Sequence, residues 1–85
     1  MRLDKFLKIS RLIRRRTLAK QIADQERVKV NGQLAKPATT VAIGDKIEIQ
    51  CGQTLLTVEV MKIKQHVQKD EAETLYQVVA EEKIE

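Results

Sequence analysis

A chain of 85 residues can bury only about 60–65% of the surface its unfolded form exposes, so its core is modest and leaves no room for a separate cofactor domain. One cysteine, Cys51, excludes an internal disulfide and suits a reducing compartment, and no apolar run approaches the roughly 20 residues of a membrane span. The net charge of +4 is unevenly spread: residues 1–46 hold twelve Lys/Arg against four Asp/Glu, and residues 47–85 hold four against eight. The first part therefore wants a polyanion, while the acidic second part argues against indiscriminate coating of one.

Leu3, Phe6 and Leu7 recur at the spacing of one helical face, which predicts a helix from Arg2 to Ser10. Asp4 falls in its first turn, where a carboxylate favours the positive end of the helix dipole. Arg2, Lys5 and Lys8 line a neighbouring wet face, read equally well as a binding surface or as an ordinary solvated side. Leu12 and Ile13 form a short apolar link. From Arg16 a second helix is expected, with Leu18 and Ile22 as its apolar positions and Ala19 and Ala23 small enough for close approach to the first. Thr17 is a candidate cap. Arg16, Lys20 and Arg27 are expected on one side, and Arg14-Arg15-Arg16 at the junction of the helices. From Arg11 to Gly32 the chain carries seven Lys/Arg against two Asp/Glu, the densest positive charge in the sequence.

Val28 and Val30 alternate with Lys29, the period of a strand with one buried side. Asn31-Gly32 predicts a two-residue hairpin turn with positive φ at both positions. Leu34 and Ala35 return briefly before Pro37 stops the pairing. Gly44-Asp45 marks another turn, Ile47 and Ile49 a strand ended by Gly52, and Leu56, Val58 and Val60 a longer strand running towards Ile63. Lys64–Thr74 reads as a loop or one helical turn, Leu75–Ala80 as a last strand, and the closing EEKIE as a frayed tail. Helices followed by strands, without βαβ alternation, indicate α+β: N-terminal helices packed on a small, mostly antiparallel sheet. No repeat or boundary divides the chain, so residues 1–85 are read as a single domain.

Chemistry is not expected. His66 and Cys51, the sole histidine and thiol, lie in unrelated segments. Zinc-ligand spacings are missing, the three glycines are scattered singly at turns, and carboxylate pairs sit in solvated runs. No catalytic residue, metal or cofactor is assigned. Arginine forks onto phosphate oxygens where lysine acts as a point charge, so an Arg-rich cluster suits nucleic acid. Phe6 looks like core and Tyr76 is the other aromatic ring, too few for a base-stacking platform. Structured RNA or a duplex, held through phosphates and shape, is favoured. The alternative from another class is a protein-interaction module that docks its basic face on an acidic partner.

Arg2-Leu3-Asp4 with Leu7, Arg16 with Ala19, Val28 with Val30-Asn31-Gly32, Lys36-Pro37 and Gly44-Asp45 together resemble the RNA-binding domain of ribosomal protein S-four, the alpha-L motif. The likeness covers about residues 2–50, leaving a strand-rich extension over about 51–80. Glu71-Ala72 with Leu75-Tyr76 extends it to stand-alone bacterial members, the fifteen-kilodalton heat-shock type and the ribosome quality-control type. Heat-shock relatives carry a long basic extension, whereas this sequence ends soon after Glu81-Glu82, so it looks most like the quality-control type. That resemblance implies a cytoplasmic, monomeric, non-enzymatic RNA-binding factor. Its implied partners are large-subunit ribosomal RNA, peptidyl-tRNA and an RqcH-type factor that adds C-terminal alanine tails. A heat-shock-type factor that repositions tRNA on stalled subunits is the near alternative. The expected phosphate contacts are Arg2 and Arg16, supported by Lys5, Lys8, Arg15, Lys20 and Lys29, with Asp4 orienting a basic neighbour.

Overall fold

A computed structural model describes residues 1–83. Two helices, α1 (Leu3–Ile9) and α2 (Arg16–Asp24), precede five strands: β1 (Val28–Val30), β2 (Gln33–Leu34), β3 (Lys46–Cys51), β4 (Thr54–Val60) and β5 (Tyr76–Lys83). The sheet runs in the order β2-β1-β3-β4-β5 with every neighbouring pair antiparallel. This is the α+β architecture the element order predicts.

Period-two alternation decides which sheet face meets the helices. Val28 pairs across Ile49, Val30 across Ile47, and those two across Leu56 and Val58. Leu3, Phe6 and Leu7 of α1 bury fully against this face, with Ala19 and Ala23 of α2. Phe6 has the largest of these side chains, and truncating so buried a ring to Ala costs about 3–5 kcal/mol.

The start of α1 shows where a helix without a side-chain cap finds its partners. Arg2 occupies the N-cap position and offers no capping bond. Instead the Leu3 amide donates to the Thr39 carbonyl (2.7 Å), the Asp4 amide to the Pro37 carbonyl (3.1 Å), and the Lys5 amide to the Asp4 carboxylate (2.8 Å). The Lys36–Thr40 turn thereby satisfies donors that every helix start leaves open, and it fixes the position of Arg2 and Asp4.

Several expectations are revised. In α2 the fully buried positions are Ala19 and Ala23, with Ile22 half-buried, while Leu18 is 45% exposed. Ala19, Ile22 and Ala23 mark the side of α2 that faces the core, and Leu18 falls at the margin of that stripe. Thr17 does not cap: Arg15 is the N-cap, again without a side-chain bond, and Thr17 lies inside the helix. Of the two readings of Lys64–Thr74, a loop or one helical turn, the structure favours the helical one and extends it, since Lys69–Leu75 forms a 3-10 helix whose Ala72 and Leu75 are buried. Lys64 pairs with Glu71 across it (3.1 Å). The last strand begins at Tyr76 and takes in Glu81–Lys83, so that part of the expected frayed tail is paired with β4. The rest of that tail, Ile84 and Glu85, lies outside the described residues.

A cationic groove built around Asp4

Asp4 is 2% exposed, and its carboxylate is the point on which two arginines converge. Arg2 Nε and Nη2 donate to Oδ1 and Oδ2 at 3.2 and 3.3 Å. Arg16 approaches from the other helix, Nη2 donating to Oδ1 at 3.4 Å with Nε 3.4 Å from Oδ2. Burial by itself pushes the Asp4 carboxyl up, but the Arg16 hydrogen bond, the Lys5 amide and the charges of Arg16 and Arg2 outweigh it. The group is therefore held below the ordinary carboxylate value and stays ionised. A guanidinium has five N–H donors. With two directed at Asp4, the others are free to face outward from side chains that are about half exposed, 50% for Arg2 and 47% for Arg16.

Beside this triad, two adjoining depressions run between α1 and the segment Gln65–Lys69. One, of about 360 Å³, is lined by Lys5, Lys8, Ile9 and Arg16 from the helices and by Gln65, His66 and Val67 from the facing segment. The next, of about 710 Å³, shares Lys8, Ile9 and Val67 and adds Arg11, Arg14 and Lys69. Lys5 Nζ donates to the Gln65 side chain, which ties the far wall to α1. Among the described residues, no carboxylate lines either depression.

The structure thus brings together Arg2, Lys5, Lys8 and Arg16 of the expected set. Lys20 follows Arg16 by one helical turn and is exposed on the same side of α2. Arg15 is exposed at the N-cap of α2 and lines neither depression. Lys29 is set apart from the others. On β1 it alternates with the buried Val28, so it points to the sheet face away from the helices, opposite Glu48 of β3. Arg27 does not continue the Arg16–Lys20 side either, because α2 stops at Asp24, Glu26 takes a positive φ of 61°, and Arg27 lines a shallow hollow with Lys29 and Glu48. Sequence reasoning passed over Arg11 and Arg14 within the basic run. It also passed over Lys69, Gln65 and His66, whose approach to α1 depends on a contact sixty residues away in sequence.

Two helices seated on an antiparallel sheet, with arginines fixed on a buried carboxylate beside a cationic groove, define a module for holding an anionic partner. An S4 domain model matches residues 1–47. The chain is 57% identical to the RQC P-site tRNA stabilizing factor of Halalkalibacterium halodurans, over 99% of this chain and 96% of that protein. It is 51% identical to the Bacillus subtilis protein of the same name, over 99% and 98%. The structure of trimeric heat shock protein 15 from Vibrio cholerae superimposes with a TM-score of 0.85 at 36% identity, covering 94% of this chain and 82% of that one. The chain belongs to the S4 domain family, on the branch that contains the RQC P-site tRNA stabilizing factors and is related to heat shock protein 15.

Proposed function

We propose that this protein is a non-enzymatic, cytoplasmic factor that binds the obstructed large ribosomal subunit and steadies peptidyl-tRNA in the P site. In this reading it works alongside an RqcH-type factor during C-terminal alanine tailing. The observation that carries it is the convergence of Arg2 and Arg16 on Asp4. Two forked donors are held in a fixed relation before any ligand arrives, so little side-chain freedom is lost when phosphates dock. Lys5 and Lys8 extend the cationic surface along α1, with Arg15 and Lys20 at its border. The full-length relatives, themselves P-site tRNA stabilizing factors, support the ribosomal setting.

Such a factor restrains tRNA by contact alone, bridging ribosomal RNA and the tRNA backbone. We also propose that it acts as a monomer. Its β5 edge carries Glu81, Glu82 and Lys83, all exposed, and charges on an edge strand oppose pairing with a second copy.

Co-sedimentation tests the reading. The parent chain is expected to travel with large subunits that carry peptidyl-tRNA, and Arg16→Ala to be largely lost from them. Equal recovery of parent and variant refutes it. The likeness to heat shock protein 15 favours a second reading, a factor that repositions the tRNA. Deleting the gene separates the two, because alanine tailing fails under the first and persists under the second.

A further inference from the structure

We propose that the groove between α1 and Gln65–Lys69 takes one unpaired RNA nucleotide. Its backbone phosphate would lie among the cations and its base against Ile9 and Val67. This rests on the RNA-binding reading above and adds a site contributed by the second half of the chain.

Four features carry it. The two depressions, about 360 and 710 Å³, fall within the roughly 300–1,000 Å³ typical of small-ligand sites. Their walls supply Lys5, Lys8, Arg11, Arg14, Arg16 and Lys69, while the half-buried Ile9 and Val67 pack on the core and form an apolar floor common to both. That pairing of cations with an apolar floor matches a nucleotide, which is anionic at one end and flat and weakly polar at the other. An acidic peptide would leave the floor without a partner. Bases splayed out of RNA also stack on arginine planes, so a chain poor in aromatic rings can still hold one.

Arg11 adds an independent point. It follows the C-cap of α1 with φ +61°, a left-handed conformation that glycine adopts without strain and arginine does not. Glu26 takes the same φ just past α2, so the conformation itself is shared; what sets Arg11 apart is that it lines the groove. Beyond Lys69 the surface turns acidic at Asp70 and Glu73, which bounds the site on that side.

The test uses the full chain and two RNA hairpins, one fully paired and one with a single bulged nucleotide, with binding read by fluorescence anisotropy. The parent should prefer the bulged hairpin by about tenfold, the scale of one buried apolar contact. Arg11→Gly and Val67→Gln should each erase that preference yet still bind the paired stem. Arg11→Gly should also melt no lower than the parent, so its loss cannot be laid to misfolding. Arg16→Ala should weaken both hairpins. Equal parental affinity for the two hairpins overturns the groove while leaving the RNA-binding reading intact. So does a parallel loss of both in Arg11→Gly and Val67→Gln. Absence of parental binding to either hairpin overturns both.

Discussion

Arg16 and Asp4 stand on different helices, twelve residues apart, and the guanidinium of one meets the carboxylate of the other at 3.4 Å. This contact joins α1 to α2, whose Ala19 and Ala23 are fully buried. It also makes a nearly inaccessible acid the organiser of an exposed basic face.

Because Asp4 titrates below its unfolded value, its contribution to stability has a definite sign with pH. The contribution is fully present above the ordinary carboxyl value of 3.8 and is lost as pH falls through the lowered folded value. Asp4→Asn should cost about 1.5–3 kcal/mol at pH 7, the scale of hydrogen bonds to a charged group. The gap between parent and variant should then close as both are taken into the acid range. Thermal melts at stepped pH measure it, and a constant gap down to strong acid contradicts the account.

Arg16→Ala should separate binding from folding. The side chain is half exposed, so its ion pair is screened and its loss should change stability by less than about 1 kcal/mol. If Arg16 makes one phosphate contact, the log–log salt dependence of RNA binding should flatten by roughly 0.7–0.9. Arg16→Lys keeps the charge but loses the fork on Asp4, so it should keep the parent's slope and bind with an affinity between parent and Ala. A salt titration of the three chains decides it, and an unaltered slope in Arg16→Ala excludes the contact.

Lys29→Ala is expected to behave differently. Lys29 faces away from the helices beside Glu48, so its removal should leave the salt slope of the parent unchanged. Charge counting cannot make this distinction, because Lys29 sits in the same basic stretch as Arg16. Which sheet face it takes follows from Val28 being buried, and that register was readable. What was not readable was that Arg2 and Arg16 meet on Asp4, away from that face. A drop in slope as large as that of Arg16→Ala would show that RNA wraps both faces.

α2 shows how far periodicity reaches. Its existence follows from spacing, and so do the Asn31-Gly32 turn and the alternation in β3 and β4. Which residues fill its buried stripe does not, because hydrophobicity ranks Leu18 above Ala19 while burial follows the side of α2 that faces the core. The 3-10 helix and the groove wall were hidden for another reason: they are set by long-range ties such as Lys5 to Gln65 and Met61 to Leu75, which leave no local pattern. Ala19→Leu should therefore destabilise by about 1–3 kcal/mol through overpacking. Leu18→Ala should stay within about 0.5 kcal/mol of the parent. Denaturant unfolding of both variants measures this, and the reverse order would restore Leu18 to the core.

Asn31 holds the sheet's first hairpin to the start of β3 through both ends of its amide. Nδ2 donates to Asp45 Oδ1 at 3.1 Å, and Oδ1 accepts the Lys46 amide at 3.0 Å. Its φ of +53°, followed by +82° at Gly32, is the two-residue turn geometry that tolerates Asn but penalises most side chains. Asn31→Ala loses the conformational tolerance and both hydrogen bonds, and should cost about 1–3 kcal/mol. Asn31→Gly keeps the backbone freedom and should cost less. Asn31→Asp retains the acceptor for Lys46 but sets a second carboxylate against Asp45, so part of its penalty should vanish when both acids are protonated. Unfolding of the three variants at neutral and acid pH checks the order, and equal penalties for Ala and Gly would mean that the amide, not the backbone, sets the cost.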